Sequence, residues 1–225
     1  MEIGVKEASG LLEVSEKTIY RWIREQVLPV YRLNDQYRFN RAELLEWATA
    51  RNLQVDPNLF SESAAGKVEL PSLAAALKAG GVAYAVGGDD QPSVLRAIVG
   101  LLKLPDSVDR DFLFQILQAR ESLGSTGVGD GIAIPHVRNP LVQHVSQPTV
   151  TLCFLATPID FHALDGKPVN TLFTLICPTI KIHLNLLSRL GFVLRDPAFK
   201  NALGRQASAE ELMAALIAAE KQIKS

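Results

Sequence analysis

Hydrophobic and polar positions divide the 225-residue chain into two stretches of different rhythm. In the first, apolar residues recur at helical spacing among charged and aromatic ones. They predict a short helix to Leu12, a turn Glu13-Val14-Ser15, and a second helix capped by Ser15. Ile19, Trp22 and Ile23 share the inward face of that second helix, which leaves Lys17, Tyr20, Arg21 and Arg24 on the other side. Two helices joined by so short a turn cross steeply, the geometry of a helix-turn-helix. Val30 to Leu33, the turn Asn34-Asp35-Gln36 and Tyr37 to Asn40 then form a hairpin flanked by Arg32 and Arg38. Asn40, with Glu43 three positions on, caps a closing helix.

Residues 54–68 are polar, small and turn-rich with no sustained period, which predicts a linker between a first domain of residues 1–53 and a second of 69–225. Beyond it, helical patterns alternate with short β-rich runs, so the second domain is α/β, a mixed sheet flanked by helices. Helices are expected over Ser72 to Ala79, from Asp90 or Gln91 to Leu102, over Val108 to Ser122 and from Ile180 to Arg195. A last one, opened by a Ser208/Glu211 capping box, runs to about Ile223. In the Val108 helix, Phe112, Ile116 and Ala119 are the expected inward face, with Arg110, Gln118 and Glu121 elsewhere. Val82 to Val86, Ile132 to Ile134, Thr149 to Ala156 and Thr171 to Cys177 read as strands.

Charge narrows the function classes. Twenty-three basic and 24 acidic residues leave a formal charge of −1, so no global field draws the chain onto nucleic acid or membrane. Between Val14 and Arg41, however, six bases face three acids, a local excess able to serve a few phosphate contacts. So small an excess predicts that a DNA-bound form acts as a dimer or alongside another protein. The richest apolar runs are broken by Lys78, Asp160 and Pro178, which argues against a spanning helix, and no leader is visible. Cys153 and Cys177 lie in apolar β-like runs and are expected to be buried, reduced thiols, as in a cytoplasmic protein.

Of four histidines, His144 and His162 have nothing chemical around them in sequence. His136 follows a Gly-rich stretch, Gly124 to Gly131, then a short strand and Pro135. Closely spaced glycines let several main-chain N–H groups point at one anion, so Ser125, Thr126, Gly127, Gly129 and Gly131 are candidates for a phosphate cradle around an open imidazole. The stretch has neither a nucleotide P-loop ending nor a dinucleotide spacing. His183 falls in the first turn of its helix, where negative charge is favoured, and Arg120 ends the helix that leads into the loop. Two imidazoles, a guanidinium and a helix start could surround a transferring phosphoryl group without a metal. No zinc- or iron-type ligand spacing is present, and no cofactor is implied.

Two resemblances sharpen this. Ala8, Leu11, Leu12, Val14, Ser15, Thr18 to Ile23, Leu28, Pro29, Arg32, Tyr37 to Phe39 and Trp47 resemble the excisionase/MerR-like winged helix-turn-helix family. That likeness implies DNA contacts by Lys17, Thr18, Tyr20, Arg21, Arg24, Arg32 and Arg38. The run RESLGSTGVGDGIAIPH, with the histidine of IHLNLLSRLGFVLRD 47 positions on, is similar to the fructose/mannitol and nitrogen-regulatory type enzyme IIA domain of the bacterial phosphotransferase system. That resemblance implies His136 as phosphoryl acceptor, with His183 and Arg120 beside it, an HPr-type phosphocarrier as donor and a separate IIB protein as a possible acceptor. Three readings stay open. The chain is a regulator coupling phosphorylation to DNA binding, a plain phosphocarrier with an adaptor domain, or an unphosphorylated binding module on a DNA-binding regulator.

Overall fold

In the computed structural model the described residues are 2–33, 36–51, 53, 55, 70–137 and 145–223. The linker expected over 54–68 lies outside them except for Val55, as do the hairpin turn at 34–35 and His144.

The amino-terminal unit is built from β1 (Glu2–Ile3), α1 (Val5–Leu11), α2 (Glu16–Arg24), β2 (Tyr31–Leu33), β3 (Gln36–Asn40) and α3 (Arg41–Ala50), its strands forming one antiparallel sheet in the order β1-β3-β2. Local chemistry sets the helix starts. The Ser15 hydroxyl accepts the Thr18 N–H at 3.2 Å, and the Asn40 side chain accepts from Ala42 at 3.0 Å. Ile19 is fully buried, while Lys17, Tyr20, Arg21 and Arg24 are exposed, as the helical spacing predicts. The Trp22 ring packs tilted at 60° against that of Trp47 of α3, 5.3 Å between centroids, which ties the second and third helices together.

The larger unit holds α4 (Leu73–Gly80), β4 (Gly81–Val86), α5 (Gln91–Leu101), α6 (Arg110–Ser122), β5 (Gly127–Gly129), β6 (Ile132–Ala133), β7 (Thr149–Ile159), β8 (Val169–Ile176), α7 (Ile180–Val193), α8 (Pro197–Gly204) and α9 (Ala209–Glu220). Five strands make a mixed sheet in the order β4-β7-β8-β6-β5, with β4/β7 and β6/β8 parallel and the other pairs antiparallel. Alternation along β7 sends Val150, Leu152 and Phe154 to one face and Cys153 and Leu155 to the other. Helices α5 and α6 cover the second face. The first is covered by α4, α7, α8 and α9, and its apolar cluster runs without a break into Leu44, Leu45 and Ala48 of α3. The two units therefore share one core.

Several pattern-based expectations are corrected. Helix α6 is capped by Asp109, whose carboxylate accepts the Phe112 N–H at 2.9 Å, and it buries Leu113, Phe114, Leu117 and Glu121. Phe112 is half exposed: the helix carries two apolar stripes, and spacing alone does not choose between them. The glycine-rich stretch is largely the β5–β6 hairpin rather than an irregular loop. Asp196-Pro197 opens α8, a helix the pattern missed, with Asp196 accepting the Phe199 N–H at 2.9 Å. At α9, Ser208 caps as expected, but Glu211 turns its carboxylate to Arg205 at 3.0 Å. Both cysteines are free and buried, and burial pushes each thiol up to about 12. No helix among the described residues is long and apolar enough to cross a membrane.

Candidate functional site

His136 continues the line of β6, bridging in parallel register to Leu175 of β8. This extended backbone lets the ring fold back on its own chain, and Nδ1 lies 2.7 Å from the carbonyl oxygen of Ile134. A carbonyl only accepts, so Nδ1 carries a proton and, in the neutral ring, the lone pair sits on Nε2. The free lone pair of the neutral ring therefore has a defined place, on Nε2.

The fold brings His183 and Arg120 to that atom from two other elements. Thr179 caps α7, its hydroxyl taking the Ile182 N–H at 3.2 Å, and His183 occupies the first turn with its ring 5.1 Å from that of His136. Burial, reinforced by electrostatic coupling to His136, pushes the His183 imidazole down to about 3, so it is neutral at physiological pH. Arg120, in the last turn of α6, donates through one terminal nitrogen to the Gly124 carbonyl at 2.9 Å. Among the described residues, Arg120 Nε, His136 Nε2 and His183 Nε2 are buried with no hydrogen-bond partner. Of these, Arg120 Nε can only donate, so a ligand rich in oxygen would satisfy it.

The cradle differs from its prediction. Ser125 and Thr126 line the small cavity beside His136, but Gly127, Gly129 and Gly131 do not. Gly127 donates its N–H to the Ser125 hydroxyl at 3.0 Å and lies so close to Ala163 that a Cβ would come within 2.6 Å of the alanine's Cβ. Gly129 and Gly131 take φ of +90° and +75° around the hairpin turn, so these glycines serve the bend and close packing. Sequence reasoning placed Glu121 away from the core. It is buried and accepts both the Thr126 N–H at 2.6 Å and the Thr126 hydroxyl at 2.7 Å, bracing the strand that leads to the site. Burial raises its carboxyl pKa, against the hydrogen bonds from Thr126. Asp165 likewise holds the Asp130 N–H of the turn at 2.9 Å.

The expected open imidazole is not found. His136 is 3% exposed, because α3 of the amino-terminal unit packs over it and inserts Glu46. One Glu46 oxygen approaches His136 Nε2 to 3.1 Å, outside hydrogen-bond alignment, and the other accepts from an Arg120 terminal nitrogen at 2.8 Å. Nothing in the local sequence marked Glu46, which lies 74 positions from Arg120. Glu46, His136 and His183 also place three ligand-type atoms within 4.8 Å of one another. The Arg120 guanidinium already shares that carboxylate, and its charge opposes a cation in the same space. Outside the cover, a groove of about 300 Å³ lies between the units, flanked by Leu123, Leu164 and exposed His162.

On the amino-terminal unit, Lys17, Tyr20, Arg21, Arg24 and Arg32 are exposed, and Thr18 and Arg38 are partly buried. Arg38 donates to the Gln36 side chain at 2.7 Å. All seven lie on α2 and the β2–β3 hairpin, away from the α3 residue that covers the imidazole.

Comparison with known proteins agrees with both halves. A family model described as phosphoenolpyruvate-dependent sugar phosphotransferase system, EIIA 2, matches residues 77–219, and one described as helix-turn-helix domain matches residues 3–52. The nitrogen regulatory protein of Pseudomonas aeruginosa is 39% identical over 131 residues, which cover 56% of this chain and 82% of that one. That of Escherichia coli is 39% identical over 113 residues, 49% of this chain and 66% of its own. The crystal structure of nitrogen regulatory protein IIA-Ntr from Neisseria meningitidis superposes with a TM-score of 0.54 at 32% identity, covering 66% of this chain and 97% of that one.

Proposed function

Because the chain belongs to the EIIA 2 family of the phosphoenolpyruvate-dependent sugar phosphotransferase system and carries an amino-terminal helix-turn-helix domain, we propose that His136 accepts a phosphoryl group from an HPr-type phosphocarrier and that its phosphorylation state governs DNA binding. The observation that carries this is the tie between His136 Nδ1 and the Ile134 carbonyl, which leaves Nε2 as the nucleophile beside two further unpartnered buried nitrogens.

The chemistry balances without a metal. The Nε2 lone pair attacks phosphorus, the donor's N–P bond breaks, and its electron pair returns to the donor's ring nitrogen. The proton stays on Nδ1, donated to the Ile134 carbonyl, throughout. Arg120 and a neutral His183 donate to the phosphoryl oxygens where charge gathers, and little else is asked of the protein in such a transfer. Lys17, Thr18, Tyr20, Arg21, Arg24, Arg32 and Arg38 make the DNA-facing surface. Its small charge excess favours two copies acting together.

Incubation of the full chain with a labelled, phosphorylated HPr-type carrier tests the reading. Label is expected on the wild type and absent from His136→Ala. No label on the wild type, or equal label on the variant, removes His136 as acceptor.

A further inference from the structure

A helix-turn-helix joined to a phosphoryl-accepting domain by a linker has no need to touch the reactive imidazole. Here it does, through one carboxylate. Glu46 projects from α3 with its side chain only 5% exposed and puts its two oxygens between the imidazole and the guanidinium, 3.1 Å from His136 Nε2 and 2.8 Å from Arg120. Those are the positions where oxygens of a phosphoryl group on Nε2 would meet the same cation. The space remaining around Glu46, Arg120, Thr126 and His136 is about 20 Å³, enough for a water molecule and not for a phosphoryl group.

We infer that Glu46 is a built-in occupant of the phosphoryl subsite, so that docking of the helix-turn-helix unit and phosphorylation of His136 exclude each other. The inference rests on the phosphotransfer reading above. Its first ground is steric: a covalent N–P bond is shorter than the 3.1 Å contact the carboxylate now holds, so the carboxylate must leave. Its second is electrostatic. A buried carboxylate and a phosphoryl group carrying roughly two negative charges repel strongly in a low-dielectric site and compete for one guanidinium. Being part of the same chain and carried on a helix packed into the shared apolar core, Glu46 competes at a high effective concentration.

Exclusion works in both directions. Whatever factor docking takes from phosphorylation, phosphorylation takes from docking. The recognition side of α2 is already exposed in the docked form. Release therefore does not uncover it, but frees its orientation relative to the larger unit. Loss of a fixed spacing between two such units in a dimer is the route by which the phosphoryl group reaches DNA affinity.

The test uses the full chain as wild type, Glu46→Gln and Glu46→Ala, with a labelled, phosphorylated HPr-type carrier and a chelator present throughout. Glu46→Ala is expected to be labelled at least about tenfold faster than the wild type, within the usual range of intramolecular coupling, and Glu46→Gln to fall between. In parallel, hydrogen exchange at residues 44–50 is expected to accelerate when wild-type protein is phosphorylated, a readout that needs no variant. Equal labelling of wild type and Glu46→Ala, or unchanged exchange in the phosphorylated wild type, overturns the exclusion while leaving phosphotransfer standing. Label on none of the three proteins removes phosphotransfer itself, and the inference with it.

Discussion

His183 is buried, neutral and pushed down to about 3, chiefly by loss of solvent and next by electrostatic coupling to His136. The unfolded chain binds a proton at this residue below about pH 6.5, while the folded chain does not until about pH 3. The stability it contributes is thus complete above the unfolded value and is lost as pH falls, at about 1.4 kcal/mol per pH unit within that window. Between pH 7 and pH 5 the wild type should lose about 2 kcal/mol more than His183→Gln in urea unfolding. Parallel pH profiles for the two proteins would show that the ring is solvated in the folded state. A second prediction at this scale concerns Glu121, which accepts both donors of Thr126. Glu121→Ala strands a buried N–H and hydroxyl, and thermal unfolding should report a loss of about 2–3 kcal/mol.

Among the elements, the β5–β6 hairpin shows how tightly the strand leading to His136 is held. Gly127 approaches Ala163 so closely that an added Cβ would lie 2.9 Å from its Cα as well, backbone that no rotamer change can move. Gly127→Ala should therefore shift the hairpin off its neighbour and cost about 1–3 kcal/mol, read as a lower midpoint in denaturant with an unchanged slope. An unaltered midpoint would mean that the 163 loop yields freely. The hairpin also marks how far local pattern carries. Glycines at 127, 129 and 131 read equally well as an anion cradle or as a bend, because both need the same backbone freedom, and only Ala163 and Asp165, far along the chain, decide for the bend. That His136, His183 and Arg120 come close together was legible because cap, strand and helix end each had a local signature. Glu46 had none. It is one acid in a helix whose remaining faces are spent on Leu44, Leu45 and Ala48, and its partners come from α6 and the end of β6. Contacts between units of different fold leave no period in either of them.

At the scale of the whole molecule, one apolar cluster runs from Ile3 and Ile19 through α3 into the sheet, so the two units are joined by packing as well as by linker. That arrangement puts the imidazole under α3 and leaves α2 with the β2–β3 hairpin facing solvent on a different surface. Exposed Arg21 and partly buried Arg38 sit on these two elements, and neither takes part in the Glu46 contact. If both neutralise DNA phosphates, replacing them releases about two fewer counterions per bound copy. The slope of log affinity against log salt should then become shallower by about 1.8 per copy in Arg21→Ala/Arg38→Ala, while labelling of His136 by a phosphocarrier is unchanged. Fluorescence anisotropy on promoter DNA across a salt series measures the first and phosphotransfer the second. A weaker affinity with an unaltered slope would instead assign these arginines to base or shape readout. A parallel loss of labelling would show that the solvent-facing elements and the covered imidazole are coupled through α3 even without DNA.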